Sequence, residues 1–470
     1  MRTANALVLS GAFCCLPGAL GAAAAQLEAG VAVVDITAPV GYRMSGYFRE
    51  RPSTGVHDPL HAKAVVLRQN DVSAALVFCD LIGMAPEVSS PARQRAAAST
   101  GIPAGNILIA ATHSHTGPLF FGSLRHHWHE LAVQREGEDP HERVDYPAEL
   151  TQKLVAVIEE AHGNVKPVAL ETTEANQTGL SFNRRFHMKG GGPVRFNPGK
   201  LNPDIVRPAG PIDPEVGFVL ARKAVDRTAL FSLSVFALHL DTVGGTEYAA
   251  DYPYYLEETL RGAFGEELVS AFGIGACGDI NHVDVSHDRS QKGHEEARRI
   301  GTTLGETIVG ALESLRAVES PSLCVRSATV DVALQEYTPE DLAHARDVMA
   351  KAETTSVPFL ERVAACQVLK LHLRGVRRLP MEVQVFRLSR DVAIVGLPGE
   401  IFVELGLAIK RASPFSMTLV VELANDAPAY IPTQKAFTEG SYETVNAIIQ
   451  SGGGEMLVEA AVRLLHEMGT

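Results

Sequence analysis

The chain has 470 residues, with 42 Lys and Arg against 55 Asp and Glu, and a formal charge of −13. Its 46% hydrophobic and 21% charged residues are globular values, which exclude global disorder and a fibrous rod. An acidic chain without a Lys/Arg-rich block lacks the cations that binding to nucleic acid or to an anionic membrane surface requires.

Residues 1–25 read as a secretory signal peptide. Arg2 precedes an apolar run at 6–20, and Gly21-Ala22-Ala23-Ala24-Ala25 offers a cleavage site. This predicts a secreted or periplasmic mature chain, 26–470, with no later run long enough to span a bilayer. Cys79, Cys277, Cys324 and Cys366 remain in it, too few for a disulfide framework and without metal-finger spacing.

Apolar runs predict strands at 30–36, 62–67, 74–78, 107–110, 218–221, 231–238, 269–274, 324–334, 383–388, 392–397 and 418–423. Helical periodicity appears at 147–162, 254–264, 293–315, 339–352 and 443–468. Residues 117–146 and 189–214 read as long loops. The interleaving predicts an α/β fold with large mixed β-sheets flanked by α-helices.

Four predicted strand ends offer N or O donors. Run 107–110 leads into Thr112-His113-Ser114-His115-Thr116-Gly117-Pro118, where alternate side chains share one face of an extended chain. Two imidazoles so placed suit zinc, or equally a hydrogen-bonded strand end. Run 231–238 ends at His239, with Asp241 nearby as an acceptor that could orient an imidazole. Run 392–397 leads into Pro398-Gly399-Glu400, which presents either a ligand or a solvated turn acid. Run 418–423 leads to Tyr430-Ile431-Pro432-Thr433. Together they suggest one site at a sheet edge.

Among the other histidines, His126, His127 and His129 around Trp128 read as a loop at the cleft rim, and His287 and Asp288 as surface. Asp80 suits either the site or a turn cap.

These motifs resemble the neutral (neutral/alkaline, non-lysosomal) ceramidase family in its N-terminal catalytic domain. The similarity runs from Val31-Ala32-Val33-Val34-Asp35-Ile36-Thr37-Ala38-Pro39 through the Thr112–Pro118 motif, Asn183-Arg184, Leu238-His239, Gly278-Asp279 and Pro398-Gly399-Glu400 to Tyr430-Ile431-Pro432-Thr433. The resemblance implies one zinc ion held by His113, His239, Glu400 and Tyr430. It places His115 and Arg184 in the active site as catalytic groups. In the family the run after Gly-Asp carries a serine, and here Asn281 stands in its place, able to donate a hydrogen bond but not to attack. Asp279, His282 and Asp241 are expected at the substrate. Matched against the family in this way, the chain is expected to lack the immunoglobulin-like C-terminal domain.

The expected activity is hydrolysis of an amide bond by a zinc-activated water, on an N-acylsphingosine-like or other small-molecule or lipid N-acyl substrate. Two alternatives stand beside it: the same scaffold acting on a different non-lipid amide or ester, and a catalytically silent secreted binding protein that kept the zinc.

Overall fold

The structure, a computed structural model, describes residues 26–352 and 356–469, so the signal-peptide segment lies outside the described residues. The larger sheet comprises β1 (Glu28–Asp35), β2 (His61–Gln69), β3 (Val72–Cys79), β4 (Ile107–Ala111), β5 (Lys166–Asn176), β6 (Glu215–Lys223), β7 (Ala229–Phe236), β8 (Val269–Ile274) and the short β9 (Arg316–Ala317). Its order is β8-β7-β6-β5-β1-β2-β3-β4, with β9 beside β5. Interior pairs are antiparallel, whereas β3·β4 and β7·β8 at the two ends are parallel. The smaller sheet comprises β10 (Pro321–Ala333), β11 (Arg378–Ser389), β12 (Val392–Gly396) and β14 (Met417–Val421), in that order, the last pair parallel. A parallel ribbon pairs β13 (Glu400–Ile401) with β15 (Tyr430–Ile431).

Side chains of a strand alternate between faces, and both sheets use both faces. Strand β3 sends Ala75, Val77 and Cys79 to an outer core and Leu76 and Phe78 to an inner one. Strand β12 likewise sends Ala393 and Val395 outward and Val392 and Ile394 inward. The inner core is shared, because Phe78, Leu108 and Val235 pack in one cluster with Phe386, Ile394 and Leu419. Outside the larger sheet lie α1 (Pro86–Thr100), α3 (Tyr146–Gly163), α4 (Tyr252–Phe264) and α5 (His294–Gly310). Outside the smaller sheet lie α8 (Val403–Ala412) and α11 (Gly453–Gly469). The architecture is a four-layer α/β/β/α sandwich, which is the expected α/β class with mixed sheets. At one end, α2 (Gly122–Glu136), α6 (Pro339–Lys351) and α7 (Phe359–Arg374) gather beside the cleft described below.

The differences from the sequence expectation have physical causes. The stretch 117–146 contains α2, whose buried residues are only Ser123, Trp128 and Ala132, so it carries almost no amphipathic signal. Strand β5 is rich in Thr and Glu and buries only Val168, Leu170 and Thr173. The expected helix 443–468 divides into α10 (Tyr442–Val445) and α11, because Gly452 at φ 93° breaks it. The four cysteines are free and buried. No helix among the described residues is long and apolar enough to cross a membrane.

Candidate metal centre and active-site cleft

The donors of the site leave the same end of the two sheets. Past β4, the chain turns at His113, whose φ of 76° is a costly left-handed value for a non-glycine residue. The turn is held because the backbone amides of His113 and Ser114 both donate to the Leu81 carbonyl, at 2.8 and 3.1 Å. Past β12, Gly399 takes φ 83°, and a Cβ there would meet the Ala429 carbonyl at 2.8 Å, so only glycine fits. The β13·β15 register then sets Glu400 directly opposite Tyr430.

The geometry fixes the tautomers. The Nδ1 of His113 lies 2.6 Å from the Ile82 carbonyl, and the Nδ1 of His239 lies 3.2 Å from the Cys277 carbonyl. A carbonyl only accepts, so both Nδ1 atoms carry hydrogen and each Nε2 is left with a lone pair. These two Nε2 atoms face each other at 3.0 Å, and the Nε2 of His115 lies 3.2 Å from that of His113. The Oε2 of Glu400 lies 3.4 Å from Nε2 of both His113 and His239, is buried, and has no hydrogen-bond partner. Lone pairs converging this closely repel unless a cation sits among them. Two imidazoles, a carboxylate and a phenol are a donor set that zinc accepts.

The surrounding groups hold these donors in place. The Arg184 Nη2 donates to the Tyr430 hydroxyl at 3.0 Å and to the Gly278 carbonyl at 2.7 Å, while its Nε donates to Glu443 at 3.0 Å. Burial pushes the Tyr430 phenol well up, and Arg184 opposes that shift. Burial pushes His239 well below the usual imidazole range. It takes His115 down to about 4, against the opposing pull of Asp241. Asp241 stands 3.4 Å from the His115 Nδ1 and accepts from the Tyr47 hydroxyl at 2.8 Å.

Behind His239 lies a layer that the motifs did not bring out. Fully buried Glu422 accepts from the backbone amides of Cys277 and Ile401 and from the Cys277 thiol. Burial raises its carboxyl well above the ordinary range. The available signal was an acid inside the apolar run 418–423.

Three expected site residues are engaged elsewhere. Asn281 donates to Asn197 at 3.0 Å and accepts from the Val283 amide, and it does not line the cavity at the donor cluster. The Nε2 of His282 lies 2.8 Å from the Gln291 carbonyl. Asp279 accepts from the Val403 amide, at the start of α8, and from Asn183. Burial pushes the Asp279 carboxyl up to about 6. A carboxyl whose folded pKa exceeds its unfolded value stabilises the fold below the unfolded pKa, and that contribution is lost as pH rises through the folded one. Metal-free wild type is therefore expected to lose about 2 kcal/mol relative to Asp279→Asn between pH 4 and 7, read by urea denaturation. A pH-independent difference would contradict this assignment.

The other histidine clusters are built differently. His126, His127 and His129 lie on α2 rather than on a loop. His129 shares Asp139 and Glu142 with Arg43 and Arg125, so those carboxylates are already neutralised by guanidinium groups. His57 and His294 stack face to face at 3.5 Å, an arrangement in which their lone pairs do not converge on one ion. Asp80 is buried and accepts from the His61 amide, as a structural cap.

A cavity of about 160 Å³ contains His113, His115, Glu400 and Tyr430 in its wall, together with Tyr47 and Lys370. It shares Phe121, Gly122, Ser123, Lys370 and Ala427 with an outer cavity of about 1110 Å³. Lys370, on α7, is half-buried at this junction, and desolvation pushes its ammonium down to about 8.

No protein-family model matches the chain. The neutral ceramidase of Pseudomonas aeruginosa is 23% identical over a 509-residue alignment that covers 93% of this chain and 72% of that protein. The crystal structure of neutral ceramidase from Pseudomonas aeruginosa superposes with a TM-score of 0.69 at 19% identity, covering 94% of this chain and 75% of that one. A ceramidase complexed with C2 gives the same TM-score at 18% identity, with 94% and 76% covered. The chain therefore has the fold of the neutral ceramidase catalytic region and resembles that protein in sequence over nearly its whole length.

Proposed function

We propose that this protein is a secreted, zinc-dependent amidohydrolase of ceramidase type that cleaves the amide bond of an N-acyl substrate. The observation that carries this reading is the convergence of the His113 and His239 Nε2 lone pairs, 3.0 Å apart, on the partnerless Glu400 carboxylate oxygen. His113, His239, Glu400 and Tyr430 would hold the ion. A zinc ion there would supply Lewis acidity toward a water and a carbonyl.

The remaining chemistry belongs to the chain. Arg184 holds the Tyr430 oxygen and compensates its charge as a phenolate. His115, kept neutral by burial and oriented by Asp241, exchanges a proton at Nε2 with the departing amine. Asn281 takes no part in the step, because its amide is engaged by Asn197 and Val283.

The test is release of fatty acid from an N-acylsphingosine, and from small N-acyl amides, by the zinc-loaded protein. Hydrolysis of at least one of them is expected, abolished by a chelator and restored by zinc. Stoichiometric zinc binding with no hydrolysis of any acyl amide would instead make the protein a binder.

A further inference from the structure

Among the described residues, Lys370 is the one charged group lining the inner cavity that neither the metal cluster nor its supports employ. It lies on the face of α7 that also turns Cys366, Leu373 and Arg374 to the two cavities, at helical spacing. Among the described residues its ammonium makes no hydrogen bond and no ion pair. The nearby acids have other partners. Asp426 receives Arg374 at 3.2 Å, and Glu400, the acid that acts most on Lys370, would be taken by a metal ion bound at the cluster. A desolvated cation without a direct ion pair is costly, and such a group beside an active centre is stabilised when a ligand brings the opposite charge.

The outer cavity points the same way. Its wall mixes apolar residues such as Val88, Phe120 and Val144 with the charged Arg125, Glu142, Arg143 and Arg374, while Leu373 and Val376 form an exposed apolar lip. A neutral two-chain lipid offers an ammonium at the neck between the cavities hydroxyl and carbonyl acceptors but no opposite charge.

We propose that Lys370 binds a carboxylate of the substrate, so that the preferred substrate is an N-acyl amino acid rather than a neutral N-acyl amine. This rests on the amidohydrolase reading for the reaction, but not for the binding. The scissile amide lies in the inner cavity, the carboxylate meets Lys370 at the junction, and an apolar acyl chain reaches the lip. Lys370 acts as a specificity determinant and takes no part in bond cleavage.

The experiment is calorimetric titration of metal-free protein with N-octanoylglycine and with N-octanoylpropylamine, which replaces the carboxylate by an ethyl group of similar size. The acid is expected to bind at least about tenfold more tightly. Lys370→Met should collapse that ratio toward one, and Lys370→Arg should keep most of it, which separates loss of charge from loss of fold. Equal affinities in wild type, or a ratio unmoved by Lys370→Met, would overturn the proposal. Turnover of the same pair by zinc-loaded protein separates the two readings. A Lys370-dependent binding preference without hydrolysis keeps the anion site and removes the hydrolase, whereas hydrolysis without the preference does the reverse.

Discussion

Glu400→Gln is expected to lower zinc affinity by about a hundredfold or more and to reduce amide hydrolysis to background. The substitution keeps the shape of the side chain and removes only its charge. The Glu400 Oε2 is buried without a hydrogen-bond partner, 3.4 Å from two imidazole nitrogens whose other ring atoms are committed to backbone carbonyls. Without the carboxylate, the proposed site loses an anionic donor and keeps two neutral imidazoles and the Tyr430 oxygen. The effect belongs to the ion rather than to the fold, since no hydrogen bond is lost at Oε2. Metal content by mass spectrometry and zinc titration by calorimetry check it, with far-ultraviolet circular dichroism as the folding control. Full metal occupancy and normal turnover in Glu400→Gln would mean that the cluster is not the metal centre.

Arg184→Met is expected to destabilise the fold by about 3–5 kcal/mol, because it breaks a buried ion pair from one side. Arg184 is 5% exposed and Glu443 is fully buried. After the change, Glu443 keeps only Arg185 at 3.8 Å, and the Tyr430 hydroxyl and the Gly278 carbonyl each lose a donor. Adding Glu443→Gln should recover part of the loss, giving a double-mutant coupling that two independent sites would not show. Urea denaturation of the four proteins measures it. A loss below about 1 kcal/mol for the single variant would mean that Arg184 is replaceable by water. Metal affinity should also fall, since the Tyr430 phenolate loses its compensating charge.

Much of the framework was legible because both sheets are buried on both faces, so most strands are nearly unbroken apolar runs, as at 107–110 and 392–397. What escaped were elements whose burial is narrow. Helix α2 buries three side chains over four turns, and β5 carries Glu171 and Glu174 in a central position of the larger sheet. The strand-end positions of His113, His239, Glu400 and Tyr430 were legible because each follows an apolar run, and the fold brings those ends together as candidate donors. Asn281 was not, since its sequence neighbours give no hint that Asn197, far off in the chain, takes its amide. Glu422 and Lys370 belong to no motif. Their importance comes from what surrounds them, Cys277 behind one imidazole and the neck between two cavities, and these are properties of packing alone.

The four-layer sandwich also settles where the donors come from. His113 and His239 follow strands of the larger sheet, while Glu400 and Tyr430 follow strands of the smaller one. At that end the two sheets are already stitched together, with Asn425, just past β14, accepting from the Ile109 amide of β4 and donating back to its carbonyl. An ion held by all four donors is a staple across the seam, and binding that favours the closed seam must be favoured by it in equal measure. Side chains such as Phe386 and Leu419, deep between the sheets, would then bear on the affinity of the proposed metal site through the register of the two halves, without touching the ion.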